Sequence, residues 1–198
     1  MDWMGAFARL VGEHAVRLTE LDRQIGDADH GSNMDRGMKA VLALDAASQP
    51  DAVDYLKKAG MTLVGTVGGA AGPLYGTFLL RFASALPAGD RADSPAELAA
   101  AWRGGLDGVV SRGKSGLGDK TMVDVLQPAV EAMEAGHEDV ASCLQAGLEA
   151  AREGLESTRA MVARKGRASY LGERSAGHLD PGAASAVLLL EAALAAQN

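Results

Sequence analysis

The chain has 198 residues, 47% of them hydrophobic and 23% charged, with a formal net charge of −7. That balance describes a soluble globular protein with a buried core and excludes a disordered chain, while the acidity argues against nucleic acid as the main partner. A lone cysteine, Cys143, allows no internal disulfide and fits a reducing cytoplasm; Asp2 stands where a signal peptide would be basic, and the apolar run 183–190 is too short to span a membrane.

Apolar residues recur at helical spacing throughout, and no segment alternates as a strand does, so the expected fold class is all-α with eight helices. Trp3, Phe7, Leu10, Val11 and Leu18 stripe a first helix ending near Leu21. The segment that follows, 21–34, places Asp22, Asp27 and Asp29 within eight residues, between Gly26 and Gly31. Carboxylates crowded this closely repel one another unless a cation compensates them, and hard oxygen donors suit Mg²⁺. Ser32 and Asn33 open a second helix whose free amides and positive dipole end suit a phosphate, and His30 beside the carboxylates either donates a hydrogen bond to that phosphate or only orders the loop.

That second helix runs from about Asn33 to Leu44, and a third carries Tyr55, Leu56, Met61, Leu63 and Val64. Between the third and fourth, residues 65–77 hold five glycines around Pro73, which suits close approach of backbone amides to a phosphate or close packing of two helices. Pro73 marks the start of the fourth helix. Residues 87–92 read as a plain loop. Ser94, Pro95 and Glu97 form a capping box that starts a fifth helix.

At the end of the fifth helix, residues 108–115 match the P-loop pattern G-x-x-x-x-G-K-[ST] letter for letter. A P-loop needs a strand before it and a helix opening at its Lys-Ser pair; here a capped helix precedes Lys114 and a glycine-rich stretch follows, so the match is read as coincidence. A sixth helix follows Thr121, with Asp124 as an ordinary helix residue. A seventh runs from about Asp139 past Leu155, and an eighth follows Pro181. Residues 163–182 gather cations in an acidic chain: Lys165, Arg167 and Arg174 are candidates for phosphate contact or for structural salt bridges.

The glycine-rich connections 26–32, 65–72, 113–119 and 166–182 follow the first, third, fifth and seventh helices. In an up-and-down bundle alternate connections share an end, so all four should converge on one composite site.

Together the stretches 21–31, 68–78, 112–114 with 118–122, and 165–175 with Asp180, Pro181 and Gly182 resemble the L subunit, the nucleotide-binding part, of the dihydroxyacetone kinases, in the family order and over essentially the whole chain. The resemblance implies one domain spanning 1–198, an up-and-down barrel of eight antiparallel helices with nucleotide at one end. It implies Asp22, Asp27 and Asp29 as ligands of two Mg²⁺ ions on the phosphates of ADP or ATP. Around the nucleotide it places His30, Gly31, Ser32, Asn33, Ala70, Ala71, Gly113, Met122, Arg167, Asp180, Pro181 and Gly182, with Arg167 stabilising the transferring phosphoryl group. Ala71 replaces the Ser usual in the family, which removes a hydroxyl contact and implies weaker or retuned binding.

The sugar would sit on a partner K subunit. A short separate chain favours the phosphoenolpyruvate-dependent version, in which an M subunit of the phosphotransferase system rephosphorylates bound ADP, over one with freely exchanging ATP. Members of the family also act as nucleotide-loaded regulators of a transcription factor. Nothing in the sequence implies nucleic-acid or membrane binding by this chain.

Overall fold

The structure is a computed structural model that describes residues 3–45, 49–87 and 92–197. The predicted loop 87–92 falls largely on residues 88–91, outside the described residues. Eight α-helices appear among them: α1 Trp3–Ile25, α2 His30–Leu42, α3 Ala52–Thr66, α4 Ala71–Ala85, α5 Pro95–Gly113, α6 Val123–Met133, α7 Val140–Ser157 and α8 Pro181–Ala195. Short 3-10 helices occur at Thr158–Ala160 and Arg167–Ser175, and no strand occurs among the described residues.

Each helix packs on its neighbour in sequence, and α8 returns to α1, which closes a ring. Short connections dictate this, because consecutive helices joined by a few residues must lie side by side and antiparallel. Inside the ring, Trp3, Phe78, Phe82 and Trp102 cluster with centroids 5.0 to 6.0 Å apart, Trp102 meeting both phenylalanines edge to face and the two phenylalanines stacking on each other, and the Trp3 indole N–H donates to Leu189 O at 3.0 Å, tying α1 to α8. α8 is buried nearly all round, as a helix so uniformly apolar must be. Among the described residues no helix is long and apolar enough to cross a membrane.

Local chemistry explains the helix starts. Ser94 and Glu97 form the expected capping box on α5, and Asp51, Asp139 and Asp180 cap α3, α7 and α8 with their carboxylates. Glycine sets two close approaches. Gly60 and Gly76 let α3 and α4 touch backbone to backbone, since a Cβ at Gly76 would fall 2.6 Å from Gly60 O. A Cβ at Gly31 would fall 2.0 Å from Ala15 O, so α2 can open against α1 only with glycine there.

Four boundaries differ from expectation, one being the end of α2 at Leu42 rather than Leu44. α1 continues to Ile25 rather than ending near Leu21, which puts Asp22 on its last turn. α2 begins at His30 rather than Asn33, because Asp22 accepts the His30 and Asp29 amides and so fixes the first turn early. α4 begins at Ala71, leaving Pro73 inside its first turn, where proline loses no hydrogen bond. The fourth connection, read as loop, contains the 3-10 helix Arg167–Ser175, bent at Gly172 with φ +56°. The P-loop match is overruled as expected: Gly113 ends α5, and Lys114 caps it in the left-handed conformation at φ +49°.

Candidate functional site

The four connections converge on one end of the ring and enclose a cavity of about 510 Å³, a size suited to a small-molecule ligand. Each contributes to the wall: Asp27 and Asp29 from the first, Gly69 and Ala70 from the second, Gly113 and Met122 from the third, Arg167 and Asp180 from the fourth. Asp22, His30, Ala71, Pro181 and Gly182 line it too. The convergence inferred from loop parity is thus what the structure has.

Gly31, Ser32 and Asn33 do not line the cavity. Gly31 faces α1. The Ser32 hydroxyl donates to Asp29 O at 2.9 Å, and buried Asn33 accepts from Arg36 at 2.7 Å while packing behind Gly68. They shape the first turn of α2 and back the second connection. Arg174 and His178 also stay off the wall, and His178 donates instead to the Gln24 side chain at 2.9 Å.

The carboxylates form the centre. Asp22, Asp27 and Asp29 each offer an oxygen, all within 4.8 Å of one another. Ligands of an octahedral Mg²⁺ with bonds of about 2.1 Å stand ~3 to ~4 Å apart, so a small contraction suffices. Backbone geometry produces the cluster. One Asp22 oxygen accepts Asp29 N at 2.8 Å and His30 N at 3.1 Å, and a side chain at Gly26 would fall 2.0 Å from the other oxygen. Between Asp27 and Asp29, Ala28 adopts φ +62°. That left-handed turn costs a non-glycine residue about 1 kcal/mol, and strain of this kind is typical of functional sites. Asp29 occupies the N-cap of α2 yet makes no side-chain capping bond. It is available to a cation.

Amides serve the opposite role. α4 opens at Ala70 and Ala71 with no side-chain cap, so its positive end faces the cavity without a competing acceptor from the cap residue. Ala71 supplies only backbone there, as its side chain dictates.

Cations ring the mouth. Arg167 Nε pairs with Asp27 Oδ2 at 2.8 Å and remains 66% exposed. Lys165 and Arg112 also line the wall. Arg112 carried no sequence signal beyond its place in a motif.

Two residues passed over in the sequence hold the walls together. Asp124, expected to be an ordinary helix residue, is 2% exposed and pins the third connection: it accepts Gly118 N at 2.6 Å and Thr121 N at 2.8 Å. The spacing Thr121 to Asp124 is a capping-box pattern, the signal that would have found it. Lys120 is 1% exposed, in a left-handed conformation at φ +62°, and its ammonium donates to Thr158 O at 2.7 Å, Met161 O at 3.2 Å and His178 O at 2.5 Å. It clips the third connection to the fourth. No local pattern announces such a contact.

Burial also sets protonation. Asp180 is pushed up to about 7 by desolvation, with its Ala183 N bond and Lys120 opposing and Asp124 and Asp22 adding to the rise. The native chain therefore keeps a proton that the unfolded chain releases near its ordinary 3.8. The stability from this group is full below the unfolded value and is lost as pH rises through about 7. Asp180→Asn, which still caps a helix, should remove that slope. Between about pH 5 and about pH 8 the Tm of the metal-free wild type should fall relative to the variant's; parallel curves would contradict the buried proton. His30 is held below its usual range by desolvation, against the pull of Asp22 and Asp29.

Comparison with known proteins places this geometry. The DAK2 domain family matches residues 24–195. The chain is 47% identical, over 100% of its own length and 96% of the relative's, to the ADP-binding subunit DhaL of the PEP-dependent dihydroxyacetone kinase of Escherichia coli K12. It is 46% identical to the ADP-binding subunit DhaL of PEP-dependent dihydroxyacetone kinase 1 of Listeria innocua, over 97% of this chain and 92% of that one. Among solved structures, the dihydroxyacetone kinase of C. freundii in complex with AMP-PNP and Mg²⁺ superposes with a TM-score of 0.74 at 25% identity. That superposition covers 98% of this chain and 33% of the other, so this chain corresponds to about a third of that enzyme.

Proposed function

The chain belongs to the DAK2 domain family, and on that footing we propose that it is the nucleotide-holding subunit of a dihydroxyacetone-type kinase, transferring phosphoryl to a sugar held by a separate subunit. The observation that carries the reading is the triad Asp22, Asp27 and Asp29 facing a cavity walled by four converging connections. Relatives similar over nearly their full lengths are ADP-binding subunits of PEP-dependent kinases, which favours bound ADP recharged by an M subunit of the phosphotransferase system over freely exchanging ATP. The whole chain acts as one nucleotide-binding unit, in the cytoplasm where such a relay operates.

Two Mg²⁺ ions held by the triad would neutralise the phosphates and polarise the transferring group. The chain's own part is positioning. The amide end of α4 at Ala70 and Ala71 receives phosphate oxygens, and Gly113, Met122, Pro181 and Gly182 border the rest of the nucleotide. Arg167 lines the same wall and pairs with Asp27; with that carboxylate holding a cation, the guanidinium would be free to contact the transferring group. Buried Lys120 ties the end of the fourth connection to the third, and buried Asp180 caps α8 where that connection ends.

The test is reconstitution. With a dihydroxyacetone kinase K subunit and a phosphotransferase relay, the purified chain should support phosphoenolpyruvate-driven phosphorylation of dihydroxyacetone with ADP retained. Turnover that needs a stoichiometric supply of free ATP would overturn the PEP-dependent form, and no turnover from either donor would overturn the kinase reading.

A nucleotide site of the P-loop kind would instead make Lys114 essential. Lys114 lies outside the cavity wall. Lys114→Ala should therefore weaken Mg-ADP binding by no more than about threefold, under ~1 kcal/mol, as read by titration calorimetry. A loss exceeding that of Asp27→Ala would move the site.

A further inference from the structure

A chain of three side chains links the ring's interior to the cavity. Ser185 Oγ, fully buried on α8, lies 2.8 Å from His30 Nε2 on α2 and 2.7 Å from the Tyr75 hydroxyl on α4. It also lies 3.0 Å from Gly182 O, one turn back in its own helix. The helices that follow the first, second and fourth connections thus meet at one hydroxyl.

Proton counting fixes the directions. Tyr75 is 1% exposed and its phenol is held far above its ordinary range by burial, so it keeps its proton; Ser185 has a single proton, and if that goes to Gly182 O the phenol must donate to Ser185. If His30 carries its proton on Nε2, it donates to the second lone pair of Ser185 Oγ, and Ser185 donates its own proton to Gly182 O. All three contacts are then hydrogen bonds. If the proton sits on Nδ1 instead, Ser185 must turn to Nε2, and its 3.0 Å approach to Gly182 O is left without a proton. The first arrangement makes all three contacts at the fully buried Ser185 hydroxyl hydrogen bonds.

We propose that Ser185 and Tyr75 are positioning residues for nucleotide binding: they lock the His30 ring against the cavity wall as the Nε2–H tautomer. His30 is the first residue of α2, directly after Asp29, and it lines the cavity, so its orientation decides what the phosphate end of the ligand meets. Without Ser185 the ring loses its anchor and rotates freely. The inference rests on the nucleotide-subunit reading for its effect on binding, but the tautomer can be read without any ligand.

The test combines both. In the nucleotide-free protein, ¹⁵N shifts of His30 should show a protonated Nε2 and a bare Nδ1 at neutral pH, and Ser185→Ala should replace that pattern by a mixture of tautomers. The opposite tautomer in the wild type would overturn the proposal even if nucleotide binds as expected. Mg-ADP affinity then separates positioning from general packing. Ser185→Ala should weaken it about tenfold and Tyr75→Phe less, while Ser185→Ala added to His30→Ala should cost nothing further. Multiplying losses in the double variant, or wild-type affinity in Ser185→Ala, would sink the positioning role. Failure of the wild type itself to bind Mg-ADP would sink the nucleotide reading, leaving the tautomer result to stand alone.

Discussion

Asp27→Ala should abolish Mg-nucleotide binding while leaving the fold intact. The expected loss is at least ~100-fold in affinity, about 2.7 kcal/mol, the scale of a charged ligand contact. Asp27 is the carboxylate to choose because, among the described residues, its side chain pairs with exposed Arg167, a surface pair worth about 1 kcal/mol or less. Asp22 would be a poorer test: it also accepts the Asp29 and His30 amides, so its removal leaves two donors unpaired and unsettles the first turn of α2. Three carboxylates sharing a 4.8 Å neighbourhood repel one another without a cation. The Tm of metal-free Asp27→Ala should therefore equal or exceed that of the wild type, and the stabilisation the wild type gains from Mg-ADP should vanish. A variant that still gains several degrees from Mg-ADP would show that the triad is a structural cluster.

Arg167→Ala should separate transfer from binding. A guanidinium on the transferring group contributes about 10³-fold or more to turnover in phosphoryl transfer, so kcat in the reconstituted system should fall by at least ~1000-fold. Affinity for Mg-ADP should fall by only about tenfold, because metal and amides carry most of the ground-state charge. Lysine should rescue little, since it cannot reproduce the planar two-pronged contact. A second consequence is particular to this chain. Arg167 holds Asp27 at 2.8 Å, so it competes with a cation for that carboxylate, and its removal should leave Mg²⁺ affinity without nucleotide unchanged or higher. Equal losses in kcat and in nucleotide affinity would reduce Arg167 to a binding residue.

Much of the site was legible because it is local. Asp22, Asp27 and Asp29 are close in sequence, and the parity of the four glycine-rich connections was enough to bring them to one end of the ring. The all-helical class followed from periodicity, and the α5 cap from three residues. Several of the failures share a cause, a contact that the local pattern does not show. Asp22 caps an amide eight residues on and thereby moves both helix ends around it. Lys120 reaches carbonyls up to 58 residues away, and His30 meets Ser185 across 155. The glycines of 65–77 divide between the two uses offered for them, Gly69 in the wall and Gly76 in the α3–α4 contact, and no property of glycine alone could have assigned them. Asp124, read as an ordinary residue of the sixth helix, does carry a local signal, the capping-box spacing to Thr121, whose amide it accepts.

The most direct measurement is the nucleotide content of the purified chain after long dialysis, first with magnesium and then with EDTA. Stoichiometric ADP retained in magnesium and released by EDTA is the predicted result, since phosphates and carboxylates share a cavity that only cations make habitable. A chain that retains no nucleotide and binds neither ADP nor ATP when magnesium is restored would contradict the account.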